Sequence, residues 1–465
     1  MFPYSNALPR REILRSMAAG SLIMPGLLSR LLADDAGETV EPDPLSPKST
    51  HFPAKAKTVI FVFSNGGVSH MDTFDYKPEL FKADGKLMGV GGGLSNQQRK
   101  LLKPLWEFRP GGKCGTLVSD LFPNLRECMD DICLIKSMNG NDNEHYNATL
   151  GMHTGSFFFS RPSIGSWVSY GLGTENQNLP SFIALAPKMP YAGTQIFNND
   201  FLPAYHQGVR VVGGKTPIAD LNPYTKQQGL QELELEFADV LNNRHLQERA
   251  GDIDLSARIR SFETAFHMQA DAPEAFDVDM ESDTTLEMYG LKRGESEGFG
   301  WQCLVARRLA ERGVRFIELV DGSSSDNWDQ HGDMAEHADH AKVIDKPLAG
   351  MLQDLKARGM LEDTLVVWTT EFGRTPGVDG DKGRGHHSAC FSSWMAGAGV
   401  KAGISFGGTD ELGATVAENG VHVHDFHATI LHLLGIDHTK LTYRHAGRDY
   451  RLTDVHGRVV KELLS

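Results

Sequence analysis

Two stretches of the chain concentrate side chains that bind metal ions. The first is Asp326-Asn-Trp-Asp-Gln-His331, with Asp333, His337 and His340 close behind. The second is Thr370-Glu-Phe-Gly-Arg-Thr-Pro376, followed by Gly383-Arg-Gly-His-His387. Carboxylates and imidazoles are the oxygen and nitrogen ligands of divalent ions such as zinc, manganese or calcium. Asp329 and His331, two apart on an extended loop, point to one side and can share an ion. Asp333 and His337, four apart on a helix face, form the rival pair. Glu371, His386 and His387 complete the set, and Asp72, after Asn65-Gly66-Gly67, offers a further carboxylate. Singly, each group also reads as an ordinary surface or capping residue; recurrence at two strand ends points to a metal.

The elements that must position these groups are buried strands. Thr58–Ser64, Ile132–Lys136, Ser181–Ala186, Val314–Val320, Leu365–Thr370 and Phe391–Ala396 are short apolar runs, several of them stopping abruptly at polar residues or glycine. Strands buried on both faces of a parallel sheet read this way, and ligand sites gather at their carboxyl ends. Trp301, Leu304, Val305, Arg308 and Leu309 mark one helix face leading into a strand, and residues 342–370 repeat that unit. The alternation predicts an α/β fold: a doubly wound, mostly parallel sheet with helices on both faces. Helices are also predicted for Leu117–Met129, for Ser163–Leu172 with Ser163 as N-cap, and for His424–Gly435 capped by His424 or Asp425. In the last of these, His427 and His432 read as helix-surface or core-edge residues. Residues 84–100 read as a Gly-rich surface insertion without a phosphate-loop ending, 190–225 as an irregular loop, and 226–290 as helical, together an insertion around 190–295.

A formal charge of −14 argues against nucleic-acid binding. Five cysteines with no CxxC pair exclude a disulfide scaffold or a cysteine zinc site, a single Cys128–Cys133 bridge aside. At the N-terminus, Arg10 and Arg11 precede an apolar stretch broken by Pro25 and Gly26, like a twin-arginine export signal over 1–36. Residues 37–56 form a polar, Pro-containing linker, and 57–465 a single domain. The expected location is the periplasm or cell envelope, reached through the twin-arginine export machinery as a folded protein.

Taken in order, the arginine pair, Gly66-Gly67-Val-Ser-His-Met-Asp-Thr-Phe-Asp75, Trp328-Asp-Gln-His331, Thr370–Pro376, Gly383–His387, His427–Gly435 and Gly447–Asp454 resemble an exported bacterial family, domain of unknown function 1501. That family resembles a branch of the alkaline phosphatase and sulfatase superfamily. The resemblance implies metal ligands at Asp329, His331, Glu371, and His386 or His387, with Asp72 as a substitute carboxylate because Asn65 stands where an aspartate is expected. Phe372 replaces a ligand histidine. The loop after Ile135 reads Met138-Asn-Gly-Asn-Asp142, without the expected hydroxyl or thiol nucleophile, and there is no Cys-x-Pro-x-Arg signature. The implied chemistry is metal-assisted hydrolysis of a phosphate or sulfate ester on a small molecule or glycan by direct water attack. Arg374 would clamp an ester oxygen and His145 would act as acid or base. The competing reading is a non-catalytic relative that keeps the site to bind a ligand or glycan; a structural envelope protein is a third.

Overall fold

The computed structural model describes residues 43–89, 98–218, 230–249 and 252–465. The export-signal expectation falls on residues outside these. The chain divides into two compact units. The smaller comprises Met1–Pro44 and Asn222–Phe262; the larger comprises Leu45–Leu221 and Glu263–Ser465.

The larger unit is built on a nine-stranded sheet. Its strands and helices, in chain order, are β1 (Thr58–Ser64), β2 (Ile132–Asn139), α1 (His145–Thr154), α2 (Ile164–Leu172), β3 (Phe182–Leu185) and β4 (Val209–Val211). Two helices follow, α3 (Leu230–Glu248) in the smaller unit and α4 (Ile253–Phe276), then α5 (Phe299–Glu311), β5 (Phe316–Asp321), α6 (His337–Ala357) and β6 (Thr364–Thr369). A hairpin of β7 (Gly373–Asp379) and β8 (Gly383–His387) precedes β9 (Phe391–Ala396), β10 (Ile404–Phe406), β11 (Val421–His422) and α7 (Val423–Leu433). The sheet order is β10-β2-β9-β6-β1-β5-β3-β4, with β11 also paired to β2.

Within this sheet all pairings are parallel except those of β9, which runs antiparallel to both β6 and β2. The reason is local. No helix crosses over between β6 and β9; the chain turns through the β7–β8 hairpin and comes straight back, which only an antiparallel strand allows. Alternate residues of β1 feed two cores. Ile60 and Val62 join Leu304, Leu309, Ile344 and Leu352 of α5 and α6 on one face. Val59, Phe61 and Phe63 join Leu150, Trp167, Phe426 and Ile430 of α1, α2 and α7 on the other. This is the α/β arrangement expected from the sequence, with a mixed sheet.

Several local expectations are corrected. Leu117–Met129 is not a helix. Thr116–Ser119 is a hairpin strand paired with Phe108–Gly111, and a 3₁₀ segment covers Leu125–Asp131. Val118, Leu121, Phe122, Leu125 and Met129 of this stretch are all core residues. Pro123 lies in the middle and lacks the N–H that a continuous helix requires. Within 84–100, Leu87–Gly89 pairs with Gln98–Lys100. The start of α7 is capped by His422, with Asp425 completing a capping box. His427 is fully buried rather than at the surface, its ring N–H donating to the Met152 carbonyl at 2.7 Å. All five cysteines are free. The end of the supposed linker is docked, with Lys55 and Ala56 N–H groups both donating to Leu433 O at 2.8 Å. Among the described residues no helix is long and apolar enough to cross a membrane.

Candidate metal centre

At the carboxyl edge of β1, β5 and β6, the loop after β5 delivers Asp329 and His331, while the turn after β6 delivers Glu371. β8 folds over that edge with His386, and His145 stands at the first position of α1. Close approach of backbones makes this convergence work. Gly66 follows β1 at φ +114°, and a Cβ there would lie 2.5 Å from Trp328 N. Its own N–H donates to Glu371 Oε1 at 2.8 Å.

Three imidazoles converge on one carboxylate. His145 Nε2 lies 3.1 Å from Asp329 Oδ2, and His331 Nε2 and His386 Nε2 lie 2.9 and 3.2 Å from Asp329 Oδ1. The two last nitrogens are 2.9 Å apart. Each ring is fixed through its other nitrogen. His145 Nδ1 contacts Glu371 Oε1 at 2.7 Å, His331 Nδ1 contacts Asp379 Oδ2 at 2.6 Å, and His386 Nδ1 contacts the Asn143 carbonyl at 2.7 Å. Carboxylates and carbonyls accept, so each Nδ1 donates its N–H outward and each Nε2 is left facing Asp329. Outer partners of this kind orient metal-bound histidines. Ligand atoms of His145, Asp329 and His386 all lie within 4.8 Å of one another, the one such cluster among the described residues. The donor set fits a divalent ion of borderline character.

Electrostatics agree. Burial alone would raise the Asp329 carboxyl, yet hydrogen bonds with His145 and His386 and the Arg374 charge hold it well below the usual carboxylate range. Burial pulls His145 down, but contacts with Asp329 and Glu371 outweigh it and raise the ring above its ordinary value.

Other sequence candidates take different places. Glu371 is buried, accepts from Gly66 N–H and the Thr370 hydroxyl, and holds His145 by its Nδ1. His387 points away and bonds the Ala414 carbonyl at 2.6 Å. Asp72 forms a fully buried ion pair with Arg384 at 2.7 Å, clamping the β7–β8 hairpin. Arg374 is not open to an ester. Its three nitrogens bond the carbonyls of Gly66, Gly67, Trp328 and Arg384, and Asp329 Oδ1 at 2.7 Å. Of the rival pair, Asp333 caps a 3₁₀ turn and His337 is buried against Trp328.

Three residues with roles here were not among the candidate ligands or catalytic groups. Asp379 orients His331, and its signal was the turn sequence Asp379-Gly-Asp-Lys-Gly383, a hairpin cue between extended segments. Asn143 acts through its carbonyl, which sequence does not reveal. Tyr191 stacks on His145 with ring centres 4.0 Å apart and planes 11° from parallel, and its hydroxyl donates to Asp329 Oδ2 at 3.4 Å.

Residues 56–464 match the model of a family described as Protein of unknown function (DUF1501). The chain belongs to the DUF1501 family. No curated protein matches it in sequence. Among solved structures, alkaline phosphatase from the Antarctic bacterium TAB5 is similar at 11% identity and TM-score 0.33, over 82% of this chain and 98% of that one. PsFucS1 sulfatase from Pseudoalteromonas sp. is similar at 13% identity and TM-score 0.35, over 82% and 68%. The lipoteichoic acid synthase LtaP from Listeria monocytogenes is similar at 10% identity and TM-score 0.35, over 88% and 79%. The three structures are thus an alkaline phosphatase, a sulfatase and a lipoteichoic acid synthase, each similar at a TM-score below 0.5.

Proposed function

We propose that this DUF1501 protein is a metal-dependent hydrolase of phosphate or sulfate esters carried by a small molecule or glycan. The observation that carries the reading is the convergence of three Nδ1-anchored imidazoles on Asp329. His145, Asp329, His331 and His386 would hold the ion, with Glu371, Asp379 and Asn143 O behind them. A divalent ion at such a site supplies charge neutralisation for ester oxygens and a lowered pKa for bound water. The chain's own part is to fix these ligands, to wall the site with Tyr191 and Phe372, and to offer the Tyr191 hydroxyl beside Asp329. Thr370 is no nucleophile, since its hydroxyl donates to Glu371 and accepts from Val68 N–H. Direct attack by water therefore accounts for the residues better than a covalent intermediate does. The same proposal takes Arg10 and Arg11 as an export signal, so that their exchange for lysine would leave the protein in the cytoplasm.

Elemental analysis of untagged protein tests the metal, followed by hydrolysis assays on aryl phosphate and aryl sulfate esters with the ion found. About one ion per chain is expected, absent from Asp329→Asn and His386→Ala. No ion, with no rise in melting temperature on adding zinc, manganese or calcium, would refute the proposal. The loop Met138–Asp142 carries no hydroxyl or thiol side chain, which favours a second reading, ligand binding without catalysis. Bound metal with no turnover of either ester class would select it.

A further inference from the structure

A second polar cavity, of about 530 Å³, lies at the start of α7 and is lined by Asn141, His422, His424, Asp425, His456 and Arg458 among others. Its three imidazoles lie in a row. His422 and His424 have ring centres 4.8 Å apart, His424 and His456 5.0 Å, with interplanar angles of 31° and 23°. These three do not form a metal-type cluster among the described residues.

The hydrogen bonds show what the cavity offers instead. His422 Nδ1 accepts the His424 N–H at 3.2 Å, so its Nε2 carries a proton, 3.1 Å from Asn141 Oδ1. The Asp425 carboxylate is occupied, accepting the N–H groups of His422 at 3.2 Å and Arg458 at 2.7 Å. The helix N-terminus is thus already capped and is not itself the site. Arg458 has half its side chain in solvent and its Nε 3.7 Å from Asp425, with Nη2 on the Gly420 carbonyl at 3.1 Å. The exposed His456 side chain makes only its ring contact among the described residues. Burial pulls His422 down to about 4, so near neutral pH it is a donor without charge, and Arg458 brings a guanidinium to the lining. The His424 Nε2–H is spent on the Gly155 carbonyl at 2.8 Å and the His422 Nε2–H on Asn141, so the lining presents the Asn141 amide, the His456 ring and the Arg458 guanidinium, with its one carboxylate already engaged.

One loop joins this cavity to the metal centre. Asn141 lines the cavity, and Asn143, two residues on, holds His386 through its carbonyl. Two residues of chain span at most about 7 Å. We propose that the cavity is an anion subsite for a second sulfate, phosphate or carboxylate group of the same substrate, which is then an oligomer with repeated anionic groups instead of an isolated ester. The inference rests on the hydrolase reading for the substrate, but the subsite itself can be tested apart from it.

The test is a titration of the purified protein with sodium sulfate, followed by the ring NMR signals of His422 and His456. Saturable shifts are expected, with binding weakened about tenfold or more in Arg458→Gln, as for a lost charge-assisted contact. His456→Asn, a change at an exposed side chain, should weaken it by a smaller factor. Asp329→Asn should leave the titration unchanged, which separates this site from the metal centre and its fate from that of the hydrolase reading. Absence of a saturable shift in the parent protein, or equal binding in both cavity variants, would overturn the subsite.

Discussion

Helix α1 carries two histidine–carboxylate contacts that face opposite fates. His145, at its first residue, meets Asp329 and Glu371 at the sheet's carboxyl edge. His153, in its last turn, meets Glu318 of β5 at 2.9 Å with both side chains fully buried. The chemistry is the same and the surroundings differ. At the edge, three rings share one carboxylate and Asp329 keeps a fifth of its side chain exposed, so an ion and a ligand can enter. In the core, His153 spends its Nδ1–H on the Thr149 carbonyl at 2.7 Å, and among the described residues Glu318 has an ion-pair contact with His153 alone. A sealed pair of this kind is costly to break but contributes little net stability. It fixes α1 against β5, and α1 and β5 bring His145 and Asp329 to the centre.

The largest expected effect is at the open site. Asp329→Asn should abolish stoichiometric metal, a larger loss than the roughly 10–100-fold of an outer partner, because it removes the carboxylate that all three imidazoles share. Elemental analysis after dialysis reads this directly, and retention of a full equivalent would dissolve the contrast. In the core, His153→Ala should leave metal content per folded molecule unchanged while lowering the unfolding free energy by about 3–5 kcal/mol, the cost of stranding a buried charge. The double variant His153→Leu/Glu318→Leu should recover most of that loss in urea denaturation. If the double variant is no more stable than the single, the pair is holding more than itself. Next come the orienting carboxylates. Glu371→Gln and Asp379→Asn should each weaken metal binding about 10–100-fold without abolishing it, as measured with a competing chelator. An unchanged affinity in both would mean that the ring orientations are set by packing.

Legibility followed the same divide. The strands were readable because residues buried on both faces leave an unbroken apolar run, as in Val59–Phe63 and Leu365–Trp368. Asp329, His331 and His386 were readable because their types and their place after strands announced them. Their partners were not, because an orienting contact depends on where a hairpin folds. Asp379 faces His331 only once β7 and β8 pair, and the choice between His386 and His387 turns on which side of β8 faces the centre. Glu318 was hidden differently. It sits within the apolar run Val314–Val320 and is paired by a histidine 165 positions earlier in the chain, which nothing local discloses.

The smallest effect is a difference of slope, and it separates the two regions by sign. Burial holds the Glu318 carboxyl above its ordinary value of 4.5, against the pull of His153. Between those values the folded chain binds more protons than the unfolded one. This group's contribution is thus fully present below 4.5 and lost as pH rises through the raised value. Asp329 is shifted the other way, below 3.8 despite its burial, because His145, His386 and Arg374 favour its charged form. Its contribution is present above 3.8 and lost as pH falls. Unfolding free energies of metal-free protein, measured at a series of pH values, should therefore fall less with rising pH in Glu318→Gln than in the parent. In Asp329→Asn they should fall less on acidification. Parallel curves for all three proteins would mean that the core pair passes its proton between partners without a net change, and that burial alone does not distinguish it from the open site.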